Sequence, residues 1–276
     1  MRVAAGDASA LADALDGEAD AVSAFEDADP STMTAEAFFA TRPDAVVIEA
    51  IAARVGVKLR MLRIEPLPET DWVARALEGR PPIRAGRFYV CAPEDLVRAP
   101  GGSYPLVIAA TQGFGTGSHP STRGCLLAID KLAKERRFSR ALDLGCGAGV
   151  LAFAMARAWR QRVLGIDIDA ASVTCARENA RVNSLGTLAR FVCGDGTAHT
   201  AVRAATPFDL IAANILAGPL ARMARAVARM LAPEGTLVLS GLLAEQETYV
   251  RAAYRAQGLA LQRRILLDGW ATLVLR

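Results

Sequence analysis

Residues 141–149 read ALDLGCGAG, a short apolar strand that runs directly into three glycines. We predict a helix immediately afterwards, over 150–159. Gly145, Gly147 and Gly149 let the backbone turn sharply and come close to a ligand that a Cβ atom would repel. The first turn of the following helix then offers free N–H groups to a polar or anionic ligand. The stretch therefore predicts a strand–turn–helix ligand loop in an α/β fold.

The spacing of the glycines discriminates between two classes of ligand. A dinucleotide-binding loop has the spacing G-x-G-x-x-G, and its third glycine would fall where Val150 stands. The spacing here is G-x-G-x-G, preceded by an acid at Asp143. This pattern favours S-adenosylmethionine as the cofactor. A tight turn that binds no ligand is the alternative interpretation.

The chain from residue 105 onward alternates strand and helix patterns. The strand candidates are 140–144, 162–167, 189–193, 208–213, 235–241, 259–266 and 271–275. The first four are followed by helices or loops, which predicts a parallel sheet covered on both faces. Only 268–270 separates the last two, so they must form an antiparallel hairpin. We predict a class I methyltransferase fold over 105–276, with a Rossmann-like, seven-stranded, mostly parallel sheet.

Acidic residues follow the second and third of these strands. Asp167, at the tip of the second strand, can accept hydrogen bonds from both hydroxyls of a ribose. Asp169 is expected to cap the next helix instead. In class I methyltransferases an acid in the place of Asp195 often contacts the adenine amino group. The alternatives are a solvated carboxylate at Asp167 and, at Asp195, a Gly-Asp-Gly turn without a ligand.

The first hundred residues have a different texture. Residues 1–66 are acidic and alanine-rich, and we predict an α-β-β-α-β order, with a stub strand at 2–3 as a candidate opening element. The predicted elements are a helix over 8–15, strands over 21–26 and 33–40, a helix over 45–55 and a strand over 59–64. A small α+β sandwich would bury their apolar faces. Prolines forbid long helices in 67–104, which we interpret as a partly ordered connector with a strand at 87–91.

Composition narrows the class of protein. The chain of 276 residues is 52 % hydrophobic and 22 % charged, enough for a real core. Its formal charge is +3, and the scattered arginines indicate a solvated surface, so we expect no direct nucleic-acid binding. Five cysteines without a CxxC and only two histidines argue against a disulfide framework or a metal site. No apolar run is long enough to span a membrane, and we expect a cytoplasmic protein.

Further segments are more specific than the general fold. They are 113–122 (GFGTGSHPST), 213–220 (ANILAGPL), 239–243 (LSGLL) with Gln246, and the connector stretches 71–73 (DWV) and 82–88 (PIRAGRF). In order and spacing, from about residue 65 to the C-terminus, they closely resemble the ribosomal protein L11 methyltransferase family.

The resemblance implies a two-domain enzyme. A ferredoxin-like N-terminal domain would recognise ribosomal protein L11, and a linker would carry the class I catalytic domain. The implied reaction is methyl transfer from S-adenosylmethionine to lysine ε-amines and an N-terminal α-amine of that protein, by an enzyme that we expect to be a monomer. Compared with the family, the first sixty residues look shortened at the front, and the first strand is barely present.

Asn214 is the candidate catalytic residue, and the resemblance implies the same position. It ends the fourth predicted strand at the carboxyl edge of the sheet, where its carbonyl can accept hydrogen bonds from a substrate amine. Capping of the helix predicted over 216–230 is the alternative role. Thr122 matches a cofactor-contacting position of the family, and Phe114 and Thr116 are expected to cover the cofactor as part of a lid.

Several neighbouring residues have competing interpretations. His119 is either a general base or, as we favour, a structural residue in a turn beside Pro120. The helix after it is predicted over 123–132, with Ser121 or Thr122 as its N-cap. A nucleophilic role for Cys146 is disfavoured because displacement at a sulfonium needs no covalent intermediate. Gln246 lines the cleft or caps the final helix.

Three rival functions share parts of these patterns. A lysine methyltransferase with another target, such as the electron-transfer flavoprotein β-subunit, would share the catalytic motifs. A nicotinamide-dependent oxidoreductase would share the Rossmann fold, but Val150 in place of a glycine argues against it. A non-catalytic binding module is disfavoured by the presence of Asn214 and of the 113–122 motif.

Overall fold

The computed structural model describes residues 1–15, 18–26, 29, 32–66, 81–109 and 119–276. The chain divides into two compact units, Met1–Thr70 and Asp71–Arg276. Phe114, Thr116 and the 71–73 segment lie outside the described residues. No helix in the described ranges has the length and apolar character needed to cross a bilayer.

The first unit is a small sandwich of helices on an antiparallel sheet. Its elements are β1 (Arg2–Ala4), α1 (Ala8–Leu15), β2 (Ala21–Glu26), β3 (Thr32–Phe38) and α2 (Ala45–Arg54). The strand order is β1-β3-β2, and an antiparallel bridge from Arg2 to Met61 adds the chain after α2 beside β1. The predicted ferredoxin-like order is therefore present, with its last strand reduced to one bridge. Our prediction of a strand over 59–64 was wrong in its length, because the pairing there is one bridge at Met61.

The apolar faces of this unit meet in one core. Buried side chains from β1, α1 and α2 form it, among them Val3, Leu11, Leu15, Ile48 and Ile51. Helix α2 begins after Asp44, whose side chain accepts a hydrogen bond from the N–H of Val46 at 2.9 Å. This N-cap satisfies one of the free donors at the start of the helix.

The predicted connector and the residues that follow it, up to Val107, form a second small sheet. Its strands are β4 (Ile83–Ala85), β5 (Phe88–Cys91) and β6 (Tyr104–Val107). Strand β4 pairs antiparallel with β5, and β5 pairs parallel with β6. Arg87, in the turn between β4 and β5, forms an ion pair of 2.5 Å with the buried carboxylate of Asp130. This pair ties the small sheet to the helix Pro120–Glu135, which contains Asp130.

The larger unit is built on a seven-stranded sheet with the order β12-β13-β11-β10-β7-β8-β9. Its strands are β7 (Ala141–Leu144), β8 (Val163–Asp167), β9 (Ala189–Cys193), β10 (Phe208–Asn214), β11 (Leu231–Leu243), β12 (Leu261–Leu267) and β13 (Trp270–Leu275). Strands β7 to β11 pair parallel, whereas β13 pairs antiparallel with β11 and β12. The predicted mostly parallel sheet with a final antiparallel hairpin is confirmed.

Helices cover both faces of this sheet. They are α3 (Pro120–Glu135), α4 (Val150–Trp159), α5 (Ala170–Val182), α6 (Thr200–Ala205), α7 (Ala217–Met230) and α8 (Glu247–Arg255). Two separate apolar clusters lie on either side of the strands. Strand β7 is buried along its whole length, as expected for a central strand of a parallel sheet. The carboxyl edge of the central strands is thereby left to loops.

Candidate functional site

The predicted site residues meet at the carboxyl edge of four adjacent strands. Strand β10 lies beside β7, β7 beside β8, and β8 beside β9. Because these strands are parallel, the residues that follow each of them lie at one edge of the sheet. The structure thus brings the glycine loop after β7 together with Asp167, Asp195 and Asn214.

All three glycines of the loop adopt a left-handed backbone. Their φ angles are +74° at Gly145, +50° at Gly147 and +92° at Gly149, a region that other residues rarely occupy. A Cβ added at Gly145 would lie 2.3 Å from Cγ2 of Ile215, and one at Gly149 would lie 2.7 Å from Cζ of Phe153. Backbone conformation therefore favours glycine at all three positions, and close packing also disfavours a side chain at Gly145 and Gly149.

Asp167 is already attached to the glycine loop. Its Oδ2 accepts a hydrogen bond from the N–H of Gly147 at 2.8 Å, and its Oδ1 accepts one from the N–H of Asp169 at 3.0 Å. A carboxylate has about four lone-pair positions, so acceptor capacity is left for a ligand. The Asp167 side chain therefore orients the glycine loop and lies at the same edge of the sheet as that loop.

Asp169 has the capping role that the sequence suggested. Its carboxylate accepts hydrogen bonds from the hydroxyl of Ser172 at 2.7 Å and from the N–H groups of Ser172 and Ala171 at 2.9 and 3.1 Å. These hydrogen bonds, that from the Ser172 hydroxyl foremost, lower the pKa of Asp169. Asp169 therefore holds the start of α5.

Asp195 lies exposed in the turn that follows β9. Its backbone carbonyl accepts hydrogen bonds from the N–H groups of Ala198 at 2.9 Å and of His199 at 3.1 Å. The preceding Gly194 donates its N–H to the carbonyl of Asp167 at 2.9 Å. The turn is held by main-chain bonds, which leaves the Asp195 carboxylate at the edge of the site.

Asp143 is a feature whose role the sequence did not reveal. It is buried at the end of β7, and its Oδ2 accepts a hydrogen bond from the N–H of Ala152 in the first turn of α4 at 2.8 Å. Its Oδ1 is buried and has no hydrogen-bond partner within the described ranges. Burial raises the pKa of Asp143 to about 7. The carboxyl group therefore anchors helix α4, which begins directly after the glycine loop.

Asn214 has one satisfied and one unsatisfied polar atom. Its Nδ2 donates a hydrogen bond of 3.1 Å to the hydroxyl of Thr122, which fixes the plane of the amide. Its Oδ1 is buried and has no partner among the residues that the structure describes. Helix α7 begins at Ala217 after an N-cap at Leu216 that makes no side-chain cap bond. The alternative role of Asn214 as a helix cap is wrong.

The chain around Asn214 is packed closely by the neighbouring strand β11. Asn214 is opposite Ser240, and the N–H of Ile215 donates to the Ser240 carbonyl at 3.2 Å. Gly241 has a φ of +83°, and a Cβ there would lie 2.5 Å from the carbonyl oxygen of Ile215. Gly241 thus allows the approach that positions Asn214. In the sequence, this position is marked by the glycine of the LSGLL motif.

His119 is the N-cap of α3. Its Nδ1 lies 2.7 Å from the hydroxyl of Ser121 and accepts a hydrogen bond of 3.3 Å from the Ser121 N–H. The ring also packs edge-on against Trp270 at a centroid distance of 4.3 Å, and burial lowers the pKa of His119. The structural interpretation fits these contacts. Our prediction of Ser121 or Thr122 as the cap was wrong, because Pro120 occupies the first helical position.

Two other candidate side chains have structural surroundings. Cys146 is buried, and burial raises the pKa of its thiol well above the ordinary value, which is opposite to what a nucleophilic thiolate needs. Gln246 accepts a hydrogen bond from the N–H of Leu243 at 3.0 Å, a local capping contact before α8. Within the described ranges no group of three or more His, Cys, Asp or Glu side chains is arranged to hold a metal ion.

Comparison with known proteins agrees with this geometry. The family model described as "Ribosomal protein L11 methyltransferase (PrmA)" matches residues 4–276. A ribosomal protein L11 methyltransferase from Caulobacter sp. (strain K31) is 44 % identical over 100 % of this chain and 96 % of its own length. The protein of the same name from Rhodopseudomonas palustris (strain BisB5) is 42 % identical over 94 % of this chain and 88 % of its own.

A solved structure shares the fold. The crystal structure of a ribosomal protein L11 methylase from Lactobacillus delbrueckii subsp. bulgaricus superposes with a TM-score of 0.63 at 23 % identity, covering 71 % of this chain and 96 % of that one. Because the family model spans nearly the whole sequence and relatives above 40 % identity align along it, this chain belongs to the ribosomal protein L11 methyltransferase family.

Proposed function

We propose that this protein transfers methyl groups from S-adenosylmethionine to lysine ε-amines, and to an N-terminal α-amine, of ribosomal protein L11. Membership of the family supports both the cofactor and the protein substrate. The observation that carries the chemistry is the buried Oδ1 of Asn214, an acceptor without a partner among the described residues at the edge where the glycine loop lies. A buried acceptor without a partner is costly, so a ligand donor is expected to complete it.

The residues of the site fit S-adenosylmethionine. The three left-handed glycines carry no side chain, so the main chain of the loop can come close to a bulky ligand. Gly145, Gly147 and Gly149 would hold the cofactor's amino-acid end, Asp167 its ribose and Asp195 its adenine. We also assign cofactor contacts to Thr122 and Asn214 and, on the family resemblance, to Phe114 and Thr116 in the segment that is not described.

The bound cofactor would supply an already activated methyl group on positively charged sulfur. The protein's part is to bind and orient the acceptor amine and to exclude water. The amine must be neutral to attack, although a free lysine is mostly protonated at pH 7. Entry of the amine into a buried site lowers its pKa. The Asn214 carbonyl would then accept one N–H and direct the nitrogen lone pair, while the Thr122 hydroxyl prevents the amide from rotating.

We assign substrate recognition to residues 1–66, the linking role to 67–104 and catalysis to 105–276. Large apolar side chains are exposed on the first unit, including Phe25, Val46 and Val47, with exposed fractions of 52 %, 68 % and 51 %. Val46 and Val47 are adjacent on α2 and offer apolar area that a protein partner can cover. This exposed pair supports docking of a protein on α2.

We further propose that the enzyme works as a monomer in the cytoplasm. Asn214 and Thr122 are hydrogen-bonded within one chain, which supports a site assembled in a single copy. All five cysteines are free thiols, which is usual in a reducing compartment.

Purified ribosomal protein L11 and S-adenosylmethionine with a labelled methyl group test the proposal directly. We expect label in L11, and tryptic mapping should place it on lysine residues and the N-terminus. A whole-cell lysate should show L11 as the main labelled band. Label confined to another protein, or calorimetric binding of NAD without binding of S-adenosylmethionine, would contradict the proposal.

A further inference from the structure

Asn179 joins two distant segments of main chain. It lies in α5, and its side chain is completely buried. Its Nδ2 donates a hydrogen bond of 3.2 Å to the carbonyl of Ala148. Its Oδ1 accepts one of 2.9 Å from the N–H of Ala109, just after β6. A single amide therefore connects the glycine loop to the end of the small sheet.

Ala148 is a point at which the loop needs such support. It lies between Gly147 and Gly149, both of which have positive φ angles. Glycine has wide conformational freedom, so hydrogen bonds must determine the orientation of these peptide groups. The N–H of Gly147 is held by Asp167 at 2.8 Å, and the carbonyl of Ala148 is held by Asn179. The two bonds hold two peptide groups of the loop, 146–147 and 148–149, which are separated by one other peptide group.

Asn183, the C-cap residue of α5 four positions after Asn179, provides a natural comparison. Its Oδ1 accepts a hydrogen bond from the N–H of Val107 at 2.8 Å, and its Nδ2 donates to the Val107 carbonyl at 2.6 Å and to the Asn179 carbonyl at 2.8 Å. These bonds reach β6 and α5 but not the glycine loop. Asn183 is buried to a similar degree, with 3 % of its surface exposed.

We propose that Asn179 is a positioning residue of the cofactor site, which sets the orientation of the Ala148 peptide and so keeps the glycine loop ready to bind. This inference rests on the proposed function of that loop. The position demands an amide, because one side chain must offer a donor to Ala148 and an acceptor to Ala109. Leucine offers neither, and aspartate lacks the donor in its ionised form.

The test compares Asn179→Leu with Asn183→Leu in the full-length protein. Both changes remove buried hydrogen bonds and are expected to lower the melting temperature. Only Asn179→Leu is expected to weaken S-adenosylhomocysteine binding by calorimetry and to raise the KM for S-adenosylmethionine, each about tenfold. The kcat at saturating cofactor should stay within about twofold of wild type, because excess cofactor still occupies the site when its affinity is lower.

The outcomes separate this inference from the proposed function. Equal cofactor affinity in the two leucine variants would overturn the positioning role. If Asn179→Leu does not fold, Asn179→Asp takes its place, since it is nearly isosteric and keeps the acceptor for Ala109. An unchanged dissociation constant for S-adenosylhomocysteine in that variant would also overturn the positioning role. Failure of the wild-type protein to bind S-adenosylhomocysteine would instead overturn the proposed function of the loop.

Discussion

The two ends of the Asn214 amide have different surroundings, and this difference is the basis of its proposed role. The nitrogen is bonded to Thr122 and the oxygen is buried without a partner among the described residues. Thr122 takes one of the two N–H groups of the nitrogen, whereas the oxygen has no partner in the described part of the chain, so this end of the amide offers an open acceptor to a substrate. An amine that offers an N–H matches that need, whereas another carbonyl or a carboxylate does not.

Asn214→Ala is expected to reduce turnover about a hundredfold, because the acceptor amine loses its orienting contact. Much of the affinity for S-adenosylhomocysteine should be kept, since the glycine loop and Asp167 stay intact and only the Asn214 contact is lost. Steady-state methylation of L11 and calorimetry measure the two effects. Thr122→Ser keeps the hydroxyl that holds the amide and serves as the control. A near-normal rate for Asn214→Ala would show that the residue has no part in the chemistry.

Asp143 predicts a characteristic dependence of stability on pH. Burial raises its pKa from 3.8 to about 7 in the folded protein. A carboxyl group with a raised pKa contributes stability at low pH, and the contribution is lost as the pH rises from near 4 to near 7. Asp143→Asn cannot ionise, so its stability relative to wild type should increase over that window, by a few kcal/mol in total, and level off above it.

Urea unfolding of both proteins at several pH values measures this difference. A stability difference that stays flat between pH 4 and pH 7 would show that the carboxyl group is ionised throughout. Because Asp143 holds the first turn of α4 through Ala152, the amide must retain that acceptor; the far-ultraviolet circular dichroism of the variant checks that the helix persists.

At the scale of secondary-structure elements, strands were easier to predict than their ends or the helix starts. Buried strands of a parallel sheet are continuous apolar runs, so 140–144 and 189–193 differ from β7 and β9 by at most one residue. Strand β11 extends further, from Leu231 to Leu243, because pairing with its neighbours continues past the apolar run. Helix α3 starts at Pro120 because proline suits the first helical position.

The glycine loop is an element whose geometry leaves little room for substitution. Gly145→Ala would place a Cβ 2.3 Å from Ile215 at a φ of +74°, a conformation that costs about 1–2 kcal/mol without the clash. We expect S-adenosylhomocysteine binding to weaken by more than about tenfold, measured by calorimetry. Gly186→Ala is the matched control, since a Cβ there meets no atom within 4 Å. Equal affinities in both variants would argue against a cofactor at this loop.

At the scale of the whole molecule, the two compact units predict separable effects on the two substrates. Val46 and Val47 are exposed on α2 of the first unit. The double substitution Val46→Asp and Val47→Asp is expected to raise the KM for L11 about tenfold and to leave the cofactor affinity unchanged. Val97→Asp, at a position 89 % exposed in the second unit, is the control. A similar rise in the KM for L11 in the control and in the double variant would show that α2 has no docking role.

The sequence by itself determined the class of fold, the ligand loop and the identity of the candidate catalytic residue. Those conclusions depend on local properties: apolar runs, the spacing of Gly145, Gly147 and Gly149, and short ordered motifs. Such properties are legible in a stretch of a few residues, because hydrophobic periodicity and turn chemistry act over that range.

Only the tertiary structure decided which polar groups meet. Asn214 and Thr122 are 92 residues apart in the chain, and Asn179 reaches Ala109 and Ala148 at separations of 70 and 31. The packing of helices α3 and α5 on the sheet determines which of these polar groups come within hydrogen-bond distance. A hydrogen bond needs its atoms within about 3 Å, a precision that arises from the packing of the whole unit and has no counterpart in any local pattern.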